Sequence, residues 1–265
     1  MSPRVTVPDL GRMKREGRRI VSVTAYDCTF ARLFDQAGVE ILLVGDSLGM
    51  VIQGHETTLP VTLDQMIYHT AAVVRGAARA LVTCDMPFGV CHGPGPVVMD
   101  AAARILKESG CQAVKLEGGR RMTETIRFLT EHQVPVMAHV GLTPQSVHAF
   151  GGFKVQGRGE LEGERVMEDA LAVERAGAFA VILEGIPSTL AQAITQRLTI
   201  PTIGIGAGPG CDGQVLVSYD LLGLFDGVQP RFVKRYLEGG TGVRESVARF
   251  AREVREGGFP GPEHG

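Results

Sequence analysis

Short runs of continuous apolar residues alternate along the chain with longer segments whose apolar residues recur every three to four positions. The runs are IVSVTA (20–25), EILLVGD (40–46), ALVTCD (80–85), CQAVKLE (111–117), VPVMAHV (134–140), FAVILE (179–184) and IPTIGIGAG (200–208). Helical segments are expected between them, at 27–38, 63–79, 97–109, 122–132, 161–176 and 188–197. In 63–79, Met66, Ile67, Ala71, Val74 and Ala78 share one face. Strand and helix in strict alternation require crossover connections and a parallel sheet. Continuously apolar strands suit a sheet covered on both faces.

Two architectures meet this description, a closed (β/α)8 barrel and an open doubly wound sheet. The open sheet ordinarily carries a phosphate-binding fingerprint after its first strand. Thr24-Ala25-Tyr26-Asp27 stands there instead. The expected fold is therefore α/β, a single (β/α)8 TIM barrel over residues 1–265. A short N-terminal extension precedes it, and the eighth strand is sought near Leu224 to Val228. The tail predicts an extra amphipathic helix at about 241–257, with Val243, Val247, Phe250 and Val254 on its apolar face. It needs a surface to cover, its own barrel's or a neighbour's. The glycine-rich stretch 151–163 reads as a long loop over the barrel mouth, since long loops in compact domains are usually functional.

Composition narrows the partners. The 265 residues carry a net charge of −2, so no basic field recommends nucleic acid or an anionic membrane. The five cysteines form neither a CxxC pair nor a zinc spacing. The N-terminus lacks the apolar core of a secretory signal, and no apolar run approaches the ~20 residues that span a bilayer. A cytoplasmic, reduced setting is expected.

The candidate chemistry lies in a recurrence. A glycine, an apolar strand and an acid follow one another at Gly38 to Asp46, Gly110 to Glu117 and Gly177 to Glu184. Asp85 ends its strand in the same way without the glycine. In a parallel barrel all strand C-termini lie on one face, the face that carries the site in barrel enzymes. The bland reading makes each acid the N-cap of the next helix, but four such caps in one chain is a poor explanation of the pattern. Converging carboxylates repel, and a bound cation, a lysine or a protonated acid must compensate. An oxygen-only cluster suits Mg²⁺ better than Zn²⁺. Lys115 lies two residues before Glu117 and points to the same side of the strand. Only five of the 27 Lys and Arg residues are lysine, which makes a strand lysine unusual here. It would serve as a cation for an anionic substrate or as a Schiff-base amine. Ser47 offers a donor beside Asp46. His139 ends the fifth strand and is as readily a satisfied core histidine as a functional one. The loop 204–208, GIGAG, is compatible with phosphate binding or with a tight strand exit. Cys84 has no visible base and reads as packing.

Longer stretches resemble a known family. They are VTAYD (23–27), LLVGDSLGMVIQGHETTLPVTLDQMIYHT (42–70), DMPFG (85–89), VKLEGG (114–119), HVGLTPQSVHAFGGFKVQGR (139–158), VILEGIP (181–187), PTIGIGAGPGCDGQVLV (201–217) and PRFVKRY (230–236). Together they resemble the ketopantoate hydroxymethyltransferases. The resemblance implies a barrel of the phosphoenolpyruvate mutase and isocitrate lyase type. It implies one Mg²⁺ per subunit, 5,10-methylenetetrahydrofolate as co-substrate, a homo-oligomer of decamer size, and a role in pantothenate and coenzyme A biosynthesis. It further implies that Asp46 and Asp85 bind the metal, with Glu117 as the third acid acting through water. Asp46, Ser47, Asp85 and Lys115 would contact the keto acid, 3-methyl-2-oxobutanoate, and Glu184 would be the general base. One departure stands out: Val90-Cys91-His92-Gly93 replaces the serine and aromatic that commonly follow DMPFG. Two other readings stay open, a different Mg²⁺-dependent carbon–carbon bond enzyme of the same barrel group and a metabolite-binding barrel without catalysis.

Overall fold

The structure, a computed structural model, describes residues 3–224, 229–237 and 240–264. Eight parallel strands close into a barrel in chain order, with the eighth pairing back on the first. They are β1 (Ile20–Thr24), β2 (Ile41–Val44), β3 (Leu81–Asp85), β4 (Ala113–Glu117), β5 (Val136–Gly141), β6 (Ala180–Glu184), β7 (Thr202–Ile205) and β8 (Gly213–Leu216). The helices before β4 are α1 (Val7–Arg15), α2 (Cys28–Gln36), α3 (Leu48–Val51), α4 (Leu63–Gly76) and α5 (Gly95–Arg104). Those after it are α6 (Thr123–Glu131), α7 (Val147–Phe150), α8 (Glu160–Arg175), α9 (Ser188–Arg197), α10 (Ser218–Leu222) and α11 (Val243–Glu256).

The first seven strands fall where the apolar runs predict them, and the eighth does not. β8 is GQVL at 213–216, upstream of the stretch chosen for it. Residues 225–228 of that stretch lie outside the described residues. The misplacement has a physical cause. Strict alternation expects a helix between successive strands, yet β7 and β8 are joined by residues 206–212 with no helix between them. Asp212 closes this shortcut by accepting bonds from the Thr202 amide (2.8 Å) and hydroxyl (3.0 Å).

The glycines of the recurring pattern sit just beyond helix ends with positive φ, at 89° for Gly38, 79° for Gly110 and 98° for Gly177. Each turns the chain from a helix into the following strand in a conformation that a side chain would disfavour. α4 buries a different stripe from the expected one. Met66, Ile67, Thr70, Val73 and Gly76 face inward, the helix stops at Gly76, and Ala78 is exposed. Thr70 can be buried because its hydroxyl returns a bond to the Met66 carbonyl (2.6 Å). Gly76 is required because a Cβ there would stand 2.3 Å from the Cys28 carbonyl, where α4 meets α2.

Apolar side chains fill the barrel's lower interior. Ile20, Ile41, Leu81, Met137, Ile182 and Ile203 belong to one buried cluster, closed from below by Leu10 and Met13 of α1. The N-terminal extension is thus a helical plug. Its sequence signal is the capping box in which the Asp9 side chain turns back on Thr6. The second apolar cluster lies between the barrel wall and the outer helices. α11 packs on α2 and β1 of its own barrel, burying Val247, Phe250 and Val254. Arg255 fastens it to the Gly38 carbonyl (2.6 Å) and to buried Glu40 (2.8 Å), whose other oxygen takes the Val21 amide (2.9 Å).

The plug makes a measurable claim. Leu10→Ala opens a cavity at a fully buried position and is expected to cost about 2–5 kcal/mol. The unfolding free energy in urea is expected to fall by that amount while KM for substrate stays unchanged, because the plug and the acids are at opposite ends of the barrel.

Candidate active site

The four acids of the recurrence stand at the C-terminal rim, and none caps the helix that follows its own strand. Barrel register sets their neighbours. Asp85 lies beside Lys115, Glu117 beside His139, and Glu184 beside Gly141, two residues beyond His139. The strand tilt that closes a barrel steps the register from strand to strand. Charged residues from β3, β4, β5 and β6 are therefore brought side by side along the rim.

Lys115 is the hub. Its Nζ is 2.6 Å from Asp85 Oδ1 and 3.8 Å from Glu117 Oε1, and both partners are buried. Asp85 Oδ2 accepts the Asp46 backbone N–H at 3.1 Å. Gln145, beyond β5, donates its side-chain N–H groups to Asp46 Oδ2 (2.9 Å) and to the Met86 carbonyl (3.0 Å). Its backbone N–H goes to Glu117 Oε2 (2.9 Å). His139 stands between two carboxylates, Nδ1 3.4 Å from Glu117 Oε1 and Nε2 3.2 Å from Glu184 Oε2. Both ring nitrogens are close enough for electrostatic attraction but out of line for a hydrogen bond. Ser47 Oγ shares a bond with the buried hydroxyl of Tyr26 (2.9 Å).

The charges respond to this crowding. Burial, then Asp85 and Glu117, push the Asp46 carboxyl well above the usual carboxylate range. Burial also raises Asp85, with Lys115 opposing it. For Glu117, burial is outweighed by His139, Lys115 and the Gln145 amide, and its carboxyl is held low. Lys115 stays an ammonium, because Asp85, Glu117 and Asp46 more than offset its burial. Burial and Lys115 depress His139, but Glu117 and Glu184 prevail and lift it to about 9. Four acids thus stand around two cationic side chains, and Asp46, which receives a single side-chain hydrogen bond, is the acid whose ionised form the surroundings oppose most.

An oxygen-rich cluster with surplus negative charge is the donor chemistry of a hard divalent cation. Among the described residues no three acids or histidines close as a ready-made cage, since Lys115 occupies the space between Asp85 and Glu117. The other candidates are placed as follows. The loop after α7 is tied to the β6 exit by Gln156 N–H to the Gly185 carbonyl (2.8 Å), near Glu184. Gly208 ends the glycine loop 204–208 against the Gln214 side chain (3.0 Å). Cys84 is buried, and burial raises its thiol. A basic hollow lined by Lys14, Arg18, Arg19 and Asp212 opens near the plugged end, with Lys14 already paired to Asp212 (2.7 Å).

Sequence reasoning found the acids and the lysine but gave His139 no definite part, and it passed over Gln145 and Tyr26. Alternation along β5 would have aimed His139 inward with Met137. Gln145 leaves no sequence signal, because its value comes from the turn that carries it back over β4.

The family model described as ketopantoate hydroxymethyltransferase matches residues 4–262. A protein of Magnetococcus marinus named 3-methyl-2-oxobutanoate hydroxymethyltransferase is 60% identical, over 100% of this chain and 98% of its own. One of the same name from Pelobacter propionicus is 54% identical, again over 100% and 98%. Among solved structures, a phosphonopyruvate hydrolase complexed with oxalate and Mg²⁺ superposes with a TM-score of 0.62 at 15% identity, covering 98% of this chain and 93% of that one. A 2,3-dimethylmalate lyase of the phosphoenolpyruvate mutase/isocitrate lyase superfamily gives 0.60 at 20% identity, covering 84% and 81%. These last two share the fold.

The His139 position predicts a pH signature. A histidine raised on folding contributes stability that is complete below its ordinary value of ~6.5 and is lost as pH rises through its folded value. Here that window runs up to about 9. In chelator-treated protein, stability is expected to fall across this window more steeply in the wild type than in His139→Gln, as read by melting temperature against pH.

Proposed function

We infer the reaction of this chain from the family it belongs to, the ketopantoate hydroxymethyltransferases, and from the charge pattern of its barrel mouth. The chain is a transferase of one-carbon units. The finer reading is that it moves a hydroxymethyl group from 5,10-methylenetetrahydrofolate to C3 of 3-methyl-2-oxobutanoate, giving 2-dehydropantoate. The observation that carries this reading is the cluster itself, in which buried Asp46, Asp85 and Glu117 and half-buried Glu184 surround Lys115 and His139. Such a cluster suits an anionic keto acid brought in together with a divalent ion.

Asp46 and Asp85 would hold one Mg²⁺, with Glu117 behind them through water. The fit rests on Asp46, whose ionised form lacks a cationic partner of its own and would gain one in the ion, and on an oxygen-only donor set, which favours Mg²⁺ over softer ions. When bound, the ion supplies Lewis-acid stabilisation of negative charge on the keto oxygen. Lys115 and Ser47 carry polar contacts to the keto acid, together with Asp46 and Asp85. Lys115 offsets the substrate's carboxylate and remains an ammonium throughout. That condition speaks against a Schiff-base role, which needs a free amine.

Glu184 takes the C3 proton. Its side chain is 16% exposed against 4% for Glu117, so it is the most open of the four acids. His139, 3.2 Å away, steadies the carboxylate before the proton arrives. The electron pair left on C3 forms the new bond to the methylene carbon, and water's oxygen becomes its hydroxyl. Both carbon–nitrogen bonds holding that carbon to the folate break, and the two nitrogens take up the C3 proton and one proton of water as tetrahydrofolate leaves. The whole chain acts as one catalytic unit in the cytoplasm and self-associates, with exposed Tyr68, Val97 and Leu161 offering apolar surface for contact. No helix among the described residues is long and apolar enough to cross a membrane.

Deuterium exchange at C3 of 3-methyl-2-oxobutanoate tests the reading directly. Glu184→Gln is expected to slow exchange by ~10²–10⁴-fold, the usual worth of a positioned base. Undiminished exchange in that variant would remove Glu184 from the role. Chelation of divalent ions is expected to stop wild-type exchange, and full activity in excess chelator would dispose of Mg²⁺.

A further inference from the structure

Gln145 makes three bonds that no single-purpose residue needs. Its two side-chain N–H groups go to Asp46 Oδ2 and the Met86 carbonyl, and its backbone N–H goes to Glu117 Oε2. It thus joins the exits of β2, β3 and β4 from a turn that follows β5. Both side-chain partners are acceptors, so the amide cannot be turned over without setting oxygen against oxygen. The Oε1 atom is fixed in place by the other bonds. It is buried, and among the described residues it has no hydrogen-bond partner. A buried acceptor left unpaired is costly. The residue is only 6% exposed, so bulk water does not satisfy it.

We propose that Gln145 is a positioning residue that holds Asp46 and Glu117 as one unit, and that its unpaired Oε1 accepts the O–H of a group brought in with the reactants. The proposal rests on the reaction described above, because that reaction supplies the donor. Two sources offer the same chemistry. One is a water carried on the divalent ion beside Asp46, and the other is the new primary hydroxyl of 2-dehydropantoate. The keto acid substrate has no hydroxyl at that carbon. Glutamine meets the requirement because one side chain must donate to an anion and accept from a neutral group. Glutamate would set charge against Asp46, and methionine, of similar length, would do neither.

The test uses full-length wild type, Gln145→Met and Gln145→Glu, with calorimetric binding of 3-methyl-2-oxobutanoate and of 2-dehydropantoate in Mg²⁺, and with melting temperature read with and without Mg²⁺. Affinity in Gln145→Met is expected to drop about tenfold, the worth of one buried hydrogen bond. A drop for both ligands assigns the donor to ion-bound water, and a drop for 2-dehydropantoate alone assigns it to the hydroxymethyl group. In Gln145→Glu the added charge makes Mg²⁺ raise the melting temperature by more than in wild type. This shift needs no turnover and survives if the methionine variant folds poorly. Wild-type affinities for both ligands together with a wild-type Mg²⁺ shift would overturn the proposal. Absence of Mg²⁺-dependent binding in the wild type itself would instead sink the reaction on which it rests.

Discussion

The rim of this barrel is organised by one ammonium group buried among carboxylates. Two unit charges ~4 Å apart attract by ~4 kcal/mol at an effective dielectric of ~20, while burying each ion costs several kcal/mol. One lysine cannot repay the burial of Asp46, Asp85 and Glu117 together. It repays Asp85, which it touches, and helps Glu117, which His139 and the Gln145 amide also serve. The deficit falls on Asp46. Either a proton or a bound cation removes such an imbalance, so the place of greatest electrostatic cost is also the place where a cation gains most.

The fold bears that cost elsewhere. Below the charged layer the barrel is filled with Ile, Leu and Met and sealed by α1. Buried carboxylates away from the mouth are fully employed. Asp35 accepts the amides of Ala78, Arg79 and Ala80, and Glu40 takes the Val21 amide and Arg255. Those acids hold loops and α11 in place through both of their oxygens. The contrast within one chain separates a structural carboxylate, with its lone pairs occupied by backbone, from one kept available.

Much of this was legible in the sequence, for a reason specific to parallel barrels. Strand ends share a rim, so an acid's place in its strand already gives its place in space, and Asp46, Asp85, Glu117 and Glu184 could be gathered without coordinates. Lys115 followed from the two-residue period of a strand. What escaped depends on structure that local pattern does not encode. β8 was misplaced because the β7–β8 link dispenses with its helix. The stripe on α4 was rotated because Thr70 satisfies its own hydroxyl and Gly76 admits α2, and a hydropathy pattern carries neither fact. Gln145 was invisible because an amide side chain acquires meaning only through what the fold sets opposite it.

Division of labour along the rim follows from the same register. On β3 and β4, Asp85 and Lys115 form a charge-neutral pair that is deeply covered and unsuited to proton transfer, because removing a proton from this ammonium would leave the acids unopposed. On β5 and β6, His139 is as deeply covered as that pair, while Glu184, its side chain 16% exposed, is the most open of the four acids. In the proposed reaction, binding of the anion and movement of the proton fall to neighbouring pairs of strands along one rim. Glu117 belongs to both sides, sharing Lys115 with Asp85 and His139 with Glu184. Glu184 is thereby linked electrostatically to Asp85 through the chain His139, Glu117 and Lys115.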